Sequence, residues 1–247
     1  MVECDNAITG TNLLFFHTIK RLTPALIGVG VFLLVGAASL AALLRYSDLS
    51  SWVGYLQQPY LWRVVRFSLW QALLSSAISL LIAIPVASCL IHRSFYGRSA
   101  LLQLFSISMV VPTIVAILGL VVVYGRTGWL NQIFGVQIPL YGLVGVLLAH
   151  VFFNMPLAVR LLLQGYDLIP AGQWRQASQL GFSRWAAFRW IEWHYMKKAL
   201  PGAFVLIFML CFSSFAVVLS LGGGPKFSTL EVAIYQALRF DFDLNKA

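Results

Sequence analysis

Charged side chains are scarce in this sequence, and their scarcity excludes a soluble globular domain. Only 10% of the 247 residues are Asp, Glu, Lys or Arg, whereas 60% are hydrophobic. A soluble fold cannot bury that much apolar surface, so the sequence predicts a polytopic membrane protein built from α-helices. The net charge of +9 does not indicate nucleic-acid binding, because the basic residues lie at the ends of apolar segments rather than on one polar face.

Residues that build metal, redox or catalytic sites are also few. The three cysteines are widely spaced and form no C-x-x-C pair: Cys4, Cys89 and Cys211. The predicted spans contain one histidine, His150, and no carboxyl group, which excludes a proton relay or a hydrolytic cluster within them. The glycine-rich residues 222–226 do not match the phosphate-binding loop G-x4-G-K-[ST]. We therefore expect no catalytic residue, cofactor or metal in this chain.

Five apolar segments are long enough to cross a bilayer. They cover residues 22–44, 67–91, 101–124, 140–159 and 199–221. If the amino terminus is cytoplasmic, the cytoplasmic segments hold ten of the 17 Lys and Arg residues, and residues 160–198 alone hold six. Because positive charge marks the cytoplasmic side, the sequence predicts a cytoplasmic amino terminus and a cytoplasmic loop over residues 160–198.

Polar side chains within these spans have two interpretations. Gln71 and Ser75 belong to a polar stripe on the second span, and His150 and Asn154 lie one turn apart on the fourth. Such residues either join helices by hydrogen bonds or line a solute pathway. The candidates for a pathway are Gln71, Ser75, His150, Asn154, Ser213 and Ser214.

The loop over residues 160–198 is predicted to contain a helical elbow. Its two arms, residues 172–180 and 184–198, meet at Gly181, which suits a left-handed helix end, and Ser183 suits the start of the second arm. The arms are basic and amphipathic. They predict either a connector that lies along the membrane surface or a docking surface for a partner.

The elbow resembles a loop motif of permease subunits from binding-protein-dependent ABC importers, E-A-A-x3-G-x9-I-x-L-P. The sequence matches the spacing of this motif at Arg175-Gln176-Ala177, Gly181 and Ile191. It differs in residue type, with Arg and Gln in place of Glu and the first Ala, and Trp193-His194 in place of Leu-Pro. Longer stretches, GLVGVLLAHVFFNMPLAVRLLLQ and LIFMLCFSSFAVVLSLGGGP among them, are similar to the amino-terminal half of permeases for thiamine. The similarity runs over residues 59–243.

The resemblance implies a fold, partners and a substrate. The fold is half of a type I ABC importer permease, of which five of six helices are seen, so the chain looks truncated at its carboxy terminus. The implied protein is not an enzyme: a separate ATPase subunit, acting as a dimer, hydrolyses ATP, and a periplasmic binding protein delivers thiamine or its phosphates. A second permease half, or another copy, completes the pathway in the lipid of the bacterial inner membrane.

Within this scheme the elbow is the coupling helix that contacts the ATPase. The implied contact residues are Arg175, Gln176, Ala177, Gln179, Gly181 and Ile191. The loop between spans three and four and the turn at 222–226 would meet the binding protein. A permease for another solute, such as ferric iron or sulfate, and an ATP-independent channel remain open alternatives. A membrane enzyme would need converging acid–base or metal-binding residues, and the spans offer only His150.

Overall fold

The computed structural model describes residues 27–42, 45, 54, 57–92 and 95–241, and the regular structure in these ranges is entirely helical. The predicted all-α class is therefore confirmed. The helices are α1 Ile27–Ala42, α2 Pro59–His92, α3 Arg98–Ser108, α4 Thr113–Tyr124, α5 Trp129–Phe134, α6 Leu143–Asp167, α7 Ala171–Gln179, α8 Arg184–Phe212, α9 Phe215–Leu221 and α10 Leu230–Gln236. A π-helical turn, Phe188–Glu192, lies within α8, and another, Ala237–Asp241, follows α10.

The chain divides into two units. Residues 1–57 and 243–246 form the first, whose main described element is the apolar helix α1. The predicted first span, 22–44, extends beyond the described residues at both ends. The second unit comprises residues 58–242 and contains four helical stretches long and apolar enough to cross a membrane. They are Pro59–His92, Thr113–Phe134, Leu143–Asp167 and Arg184–Phe212.

Two of the expected spans are interrupted rather than continuous. The segment 101–124 forms α3 and α4, which are separated just before Pro112, because proline has no N–H to donate and restricts the residue before it. The segment 199–221 forms the end of α8 and then α9, with a break at Ser213 and Ser214. Non-helical backbone at such a depth persists only where protein or water satisfies its polar groups.

The loop predicted over 160–198 is shorter in the structure. α6 continues to Asp167, and the second arm of the elbow does not end at residue 198 but runs on as α8 to Phe212. Residues 160–167 are mostly apolar and extend the pattern of α6. Lys197, Lys198 and Pro201 are typical of a helix end, but the helix continues through them. The elbow therefore consists of α7 and the first turns of α8.

The longest helices form the main core. α2, α6 and α8 pack against one another, and small residues such as Ala72, Ala83 and Ala158 allow close approach. α7 joins this core through Ala177. A second core lies at the other end of α6, where Val146 and Ala149 meet residues of α4, α9 and α10. α6 therefore belongs to both cores and connects the two ends of this unit.

Candidate functional site

A hydrogen-bonded turn at Gly181 gives the elbow its bend. Gly181 follows the end of α7 in a left-handed conformation with φ of 64°. The Phe182 N–H donates to the Ala177 carbonyl at 3.0 Å, and the Gly181 N–H donates to the Ser178 carbonyl at 3.2 Å. This is the Schellman pattern, in which glycine avoids the steric cost of the left-handed residue. The conformation predicted for Gly181 is confirmed.

The second arm begins at a capped residue, as the sequence predicts. Ser183 Oγ accepts a hydrogen bond from the Ala186 N–H at 3.3 Å, and α8 starts at Arg184. Only the short segment of residues 180–183 separates the two arms. The direction of α7 relative to α8 is therefore set by a few backbone hydrogen bonds.

The elbow residues expected to contact a partner divide into two groups. The exposed ones are Arg175, Gln176, Gln179 and Gly181. Ala177 and Ile191 are buried, at 7% and 8% exposure, and belong to the main core. The exposed group is available to a partner, whereas the buried pair holds the elbow against the spans.

A buried carboxyl group lies where α8 leaves the elbow. Glu192 is fully buried and ends the π-helical turn. Its Oε2 atom accepts hydrogen bonds from the Ser88 hydroxyl at 3.0 Å and the Tyr166 hydroxyl at 2.8 Å, and its Oε1 atom pairs with His92 Nε2. These partners come from α2 and α6. We call these four residues the Glu192 cluster.

The Glu192 cluster is also joined to the first arm of the elbow. The His92 ring packs edge-on against the Trp174 ring of α7, with 5.5 Å between the ring centroids and an interplanar angle of 84°. Nearby, Gln173 Nε2 donates to the Tyr195 hydroxyl at 3.0 Å. α7 therefore contacts both α2 and α8, so a displacement of α7 would act directly on the cluster.

The Glu192 cluster is not predicted from the sequence. Glu192 lies in the predicted arm 184–198 and His92 just after the predicted span 67–91, so both fall outside the predicted spans. One local signal was present: Glu192 lies in the run WIEWHYM, where a single acidic residue is surrounded by aromatic residues. A carboxyl group in such a setting is costly unless it has partners.

A second polar cluster occupies the middle of the main bundle. His150 is 2% exposed, its Nδ1 atom lies 3.0 Å from Ser75 Oγ, and its Nε2 atom contacts Ser214 Oγ. Ser75 belongs to α2, whereas Ser214 belongs to the break between α8 and α9. The imidazole therefore connects three segments of the bundle.

The end of α8 receives further hydrogen bonds from the same cluster. Gln71 Nε2 donates to the Cys211 carbonyl at 3.0 Å, and Asn154 Nδ2 donates to the Cys211 thiol sulfur at 3.2 Å. Gln71 and Asn154 are buried, Ser214 is half-buried and Ser213 is exposed. The structure thus brings together five of the six candidate pathway residues in one network, and Ser213 lies beside it.

The end of the bundle opposite the elbow is also organised by hydrogen bonds. The Gly142 N–H, just before α6, donates to the Leu221 carbonyl at 2.7 Å. The Leu230 N–H donates to Ser68 Oγ at 2.9 Å. These bonds bring three segments together at this end of the bundle: the loop before α6, the turn at 222–226 and the start of α2. Among the described residues, no group of three or more His, Cys, Asp or Glu side chains converges as metal ligands would.

The chain is similar to known membrane transport proteins. The family described as "Binding-protein-dependent transport system inner membrane component" matches residues 75–244. The chain is 49% identical over 228 residues to the thiamine transport system permease protein ThiP of Escherichia coli (strain K12), which covers 89% of this chain and 42% of that protein.

Two other relatives set the range of the similarity. The thiamine transport system permease protein ThiP of Brucella abortus (strain 2308) is 51% identical over 194 residues, covering 76% of this chain and 36% of that protein. The sulfate transport system permease protein CysW of Synechococcus elongatus is 26% identical over 231 residues, covering 89% of this chain and 80% of that protein. The chain spans about two fifths of the length of the thiamine permeases it matches.

Proposed function

The chain belongs to the family of binding-protein-dependent transport system inner membrane components, and on that premise we propose that it forms part of the permease of an ATP-driven thiamine importer. Proteins of this family are multi-pass permease subunits rather than enzymes. The substrate proposal is supported by the thiamine permeases, which are 41% to 51% identical to this chain, whereas the sulfate permease is 26% identical. Thiamine phosphates belong to the same proposal.

The proposed partners follow from this role. A separate ATPase subunit, acting as a dimer, would bind and hydrolyse ATP, and a periplasmic binding protein would deliver the solute. A second permease half, or another copy of this chain, would complete the pathway. The amino terminus is proposed to be cytoplasmic, which places the basic elbow on the side where ATP is available.

The observation that best supports coupling is the connection from the elbow to the spans. The exposed residues Arg175, Gln176 and Gln179 would contact a groove of the ATPase, and Gly181 would allow the bend between the arms. Ala177 and Ile191 would transmit the contact through the core. Because Trp174 packs on His92, movement of α7 would displace the Glu192 cluster and tilt α2, α6 and α8 together.

The break at Ser213 and Ser214 is the proposed point where the solute pathway passes the bundle. Ser213 is exposed, and the interrupted backbone there supplies polar groups at the depth of the spans. Four buried side chains would hold this break in place and reach the solute only when the bundle opens: Gln71, Ser75, His150 and Asn154. At the end away from the elbow, the loop before α6 and the turn at 222–226 would receive the binding protein.

Uptake of labelled thiamine tests the substrate proposal. Cells that lack their own thiamine importer would receive this chain, the cognate ATPase and binding protein, and the carboxy-terminal half of a thiamine permease relative. We expect ATP-dependent uptake that excess unlabelled thiamine abolishes and excess sulfate leaves unchanged. Competition by sulfate would support the second candidate, a sulfate permease, and uptake that persists without ATP would support a channel.

A further inference from the structure

A basic cavity lies near the start of α2, at the end of the bundle opposite the elbow. It has a volume of about 690 Å³, and three of the side chains that line it are cationic: Arg63, Arg66 and Lys226. Much of the remaining wall is apolar and includes Trp70 and Leu73. Lys226 belongs to the turn at 222–226, whereas the other lining residues lie outside the elbow, the Glu192 cluster and the His150 network. The proposed function assigns no ligand to the cavity.

The three cations form a site for an anion. Within the described ranges, none of them makes an ion pair or a side-chain hydrogen bond, and all three side chains are exposed. Three positive charges around one cavity repel each other and attract an anion that neutralises them. Arginine in particular presents paired N–H donors that match the oxygens of a phosphate group.

The α2 side of the cavity changes from charged to apolar along one helix face. Arg63, Arg66, Trp70 and Leu73 follow one another at spacings of three and four residues, so they share that face. Trp70 and Leu73 are 57% and 43% exposed. The distance from Arg63 to Leu73 along the helix is about 15 Å. Phe208 of α8 adds apolar surface to the wall. The cavity therefore suits an amphiphile.

The position of the cavity along α2 corresponds to a membrane surface. Arg63 lies one turn into α2, beside Trp62, which is 58% exposed and suits the interfacial zone. From Arg63 to His92, which packs on the elbow, α2 extends for roughly 40 Å. The cations therefore lie at headgroup level on one surface, whereas the elbow lies at the other.

We propose that this cavity binds the phosphate of an anionic phospholipid, phosphatidylglycerol being the simplest example, and that an acyl chain lies along Trp70, Leu73 and Phe208. Free inorganic phosphate shares the headgroup chemistry but cannot cover the apolar wall. A zwitterionic lipid carries a positive group that the three cations disfavour. The proposal does not depend on which solute the permease carries.

Native mass spectrometry of the assembled transporter, purified in detergent, tests this inference. The protein would be titrated with phosphatidylglycerol, with phosphatidylcholine of the same acyl chains, and with inorganic phosphate. The variant combines Arg63→Gln, Arg66→Gln and Lys226→Gln, and the matched control is Arg126→Gln, an exposed cation outside the cavity. Trp70→Ala probes the apolar wall separately, with all three cations retained.

We expect the unaltered transporter and the Arg126 control to bind phosphatidylglycerol more tightly than phosphatidylcholine. The triple variant should lose that preference, with a loss on the order of fivefold for each cation removed. Trp70→Ala should weaken the binding of both lipids. Unchanged lipid preference in the triple variant would overturn the proposal. Displacement of the lipid by millimolar inorganic phosphate, with Trp70→Ala having no effect, would show a free-anion site instead.

Discussion

Single residues in the interior carry the hydrogen bonds that hold the bundle together, and Glu192 is the most demanding of them. Replacing Glu192 with Ala would remove the carboxylate oxygen that accepts from the half-buried Ser88 hydroxyl and the buried Tyr166 hydroxyl, and would leave Tyr166 only the weaker Met196 sulfur as acceptor. We expect the free energy of unfolding to fall by about 1–3 kcal/mol. Glu192→Gln keeps an acceptor oxygen and should retain much of that stability. Both variants should raise the ATP hydrolysed per thiamine imported, because His92 loses the carboxyl group that joins it to α8.

Thermal unfolding and the ratio of ATP hydrolysed to thiamine imported separate the two effects. Glu231→Gln is the matched control, since Glu231 is a partly exposed carboxyl group outside the cluster. A Glu192→Gln variant with normal stability and a normal ratio would show that the cluster only packs the helices. Partial recovery of the ratio by Glu192→Asp would support a positioning role.

Gln71 provides a second test at the same scale. Its amide donates to the Cys211 carbonyl at the end of α8. The break between α8 and α9 removes the next helical turn, whose N–H would otherwise donate to that carbonyl. Gln71→Leu should therefore cost about 1 kcal/mol and lower the unfolding temperature of the transporter in detergent. Gln132→Leu removes a similar bond, to the Thr127 carbonyl, but at an exposed site where water replaces it. Equal unfolding temperatures for the two variants would refute the assignment.

At the scale of elements, the elbow depends on one backbone conformation. Gly181→Val places a β-branched residue at a φ of 64°, which strains the turn between α7 and α8. We expect membrane insertion to persist while ATP hydrolysis is uncoupled from thiamine uptake. Gly181→Asn should restore much of the coupling, because asparagine tolerates this conformation. Gly172→Ala is the control, since an added Cβ there meets no atom within 4 Å. Full uptake by Gly181→Val would contradict the role given to the bend.

The same elements show which parts of the fold a sequence can predict. The helix end at Gly181 and the cap at Ser183 depend on neighbouring residues, and the sequence predicts both. The Glu192 cluster could not be predicted in this way, because Ser88 and His92 precede Glu192 by 104 and 100 residues. The continuity of α8 was missed for a related reason. The polarity of residues 184–198 placed this predicted helical arm outside the spans, whereas its apolar side packs against the core and the helix continues into the span.

At the largest scale that the contacts describe, residues 58–242 have two ends with different proposed partners. At one end, hydrogen bonds from Gly142 to Leu221 and from Leu230 to Ser68 bring together the segments proposed to meet the binding protein. The Glu192 cluster and Trp174 bring together the segments proposed to respond to the ATPase. α6 has residues in both cores, so it is the element through which events at one end would reach the other.

This arrangement predicts that the two ends face opposite sides of the membrane, and single cysteines can test it. Ser178→Cys would mark the elbow and Gln137→Cys the loop before α6, both at exposed positions. In both variants Cys4 and Cys89 would be replaced by serine, whereas Cys211 is retained because it is buried. In cells with a permeabilised outer membrane, an impermeant maleimide should label Gln137→Cys and spare Ser178→Cys, and inside-out vesicles should give the reverse. The basic elbow favours this direction because positive charge is retained on the cytoplasmic side. Labelling of both cysteines from one side would contradict the spanning arrangement, and exchanged labelling would keep it but invert the orientation.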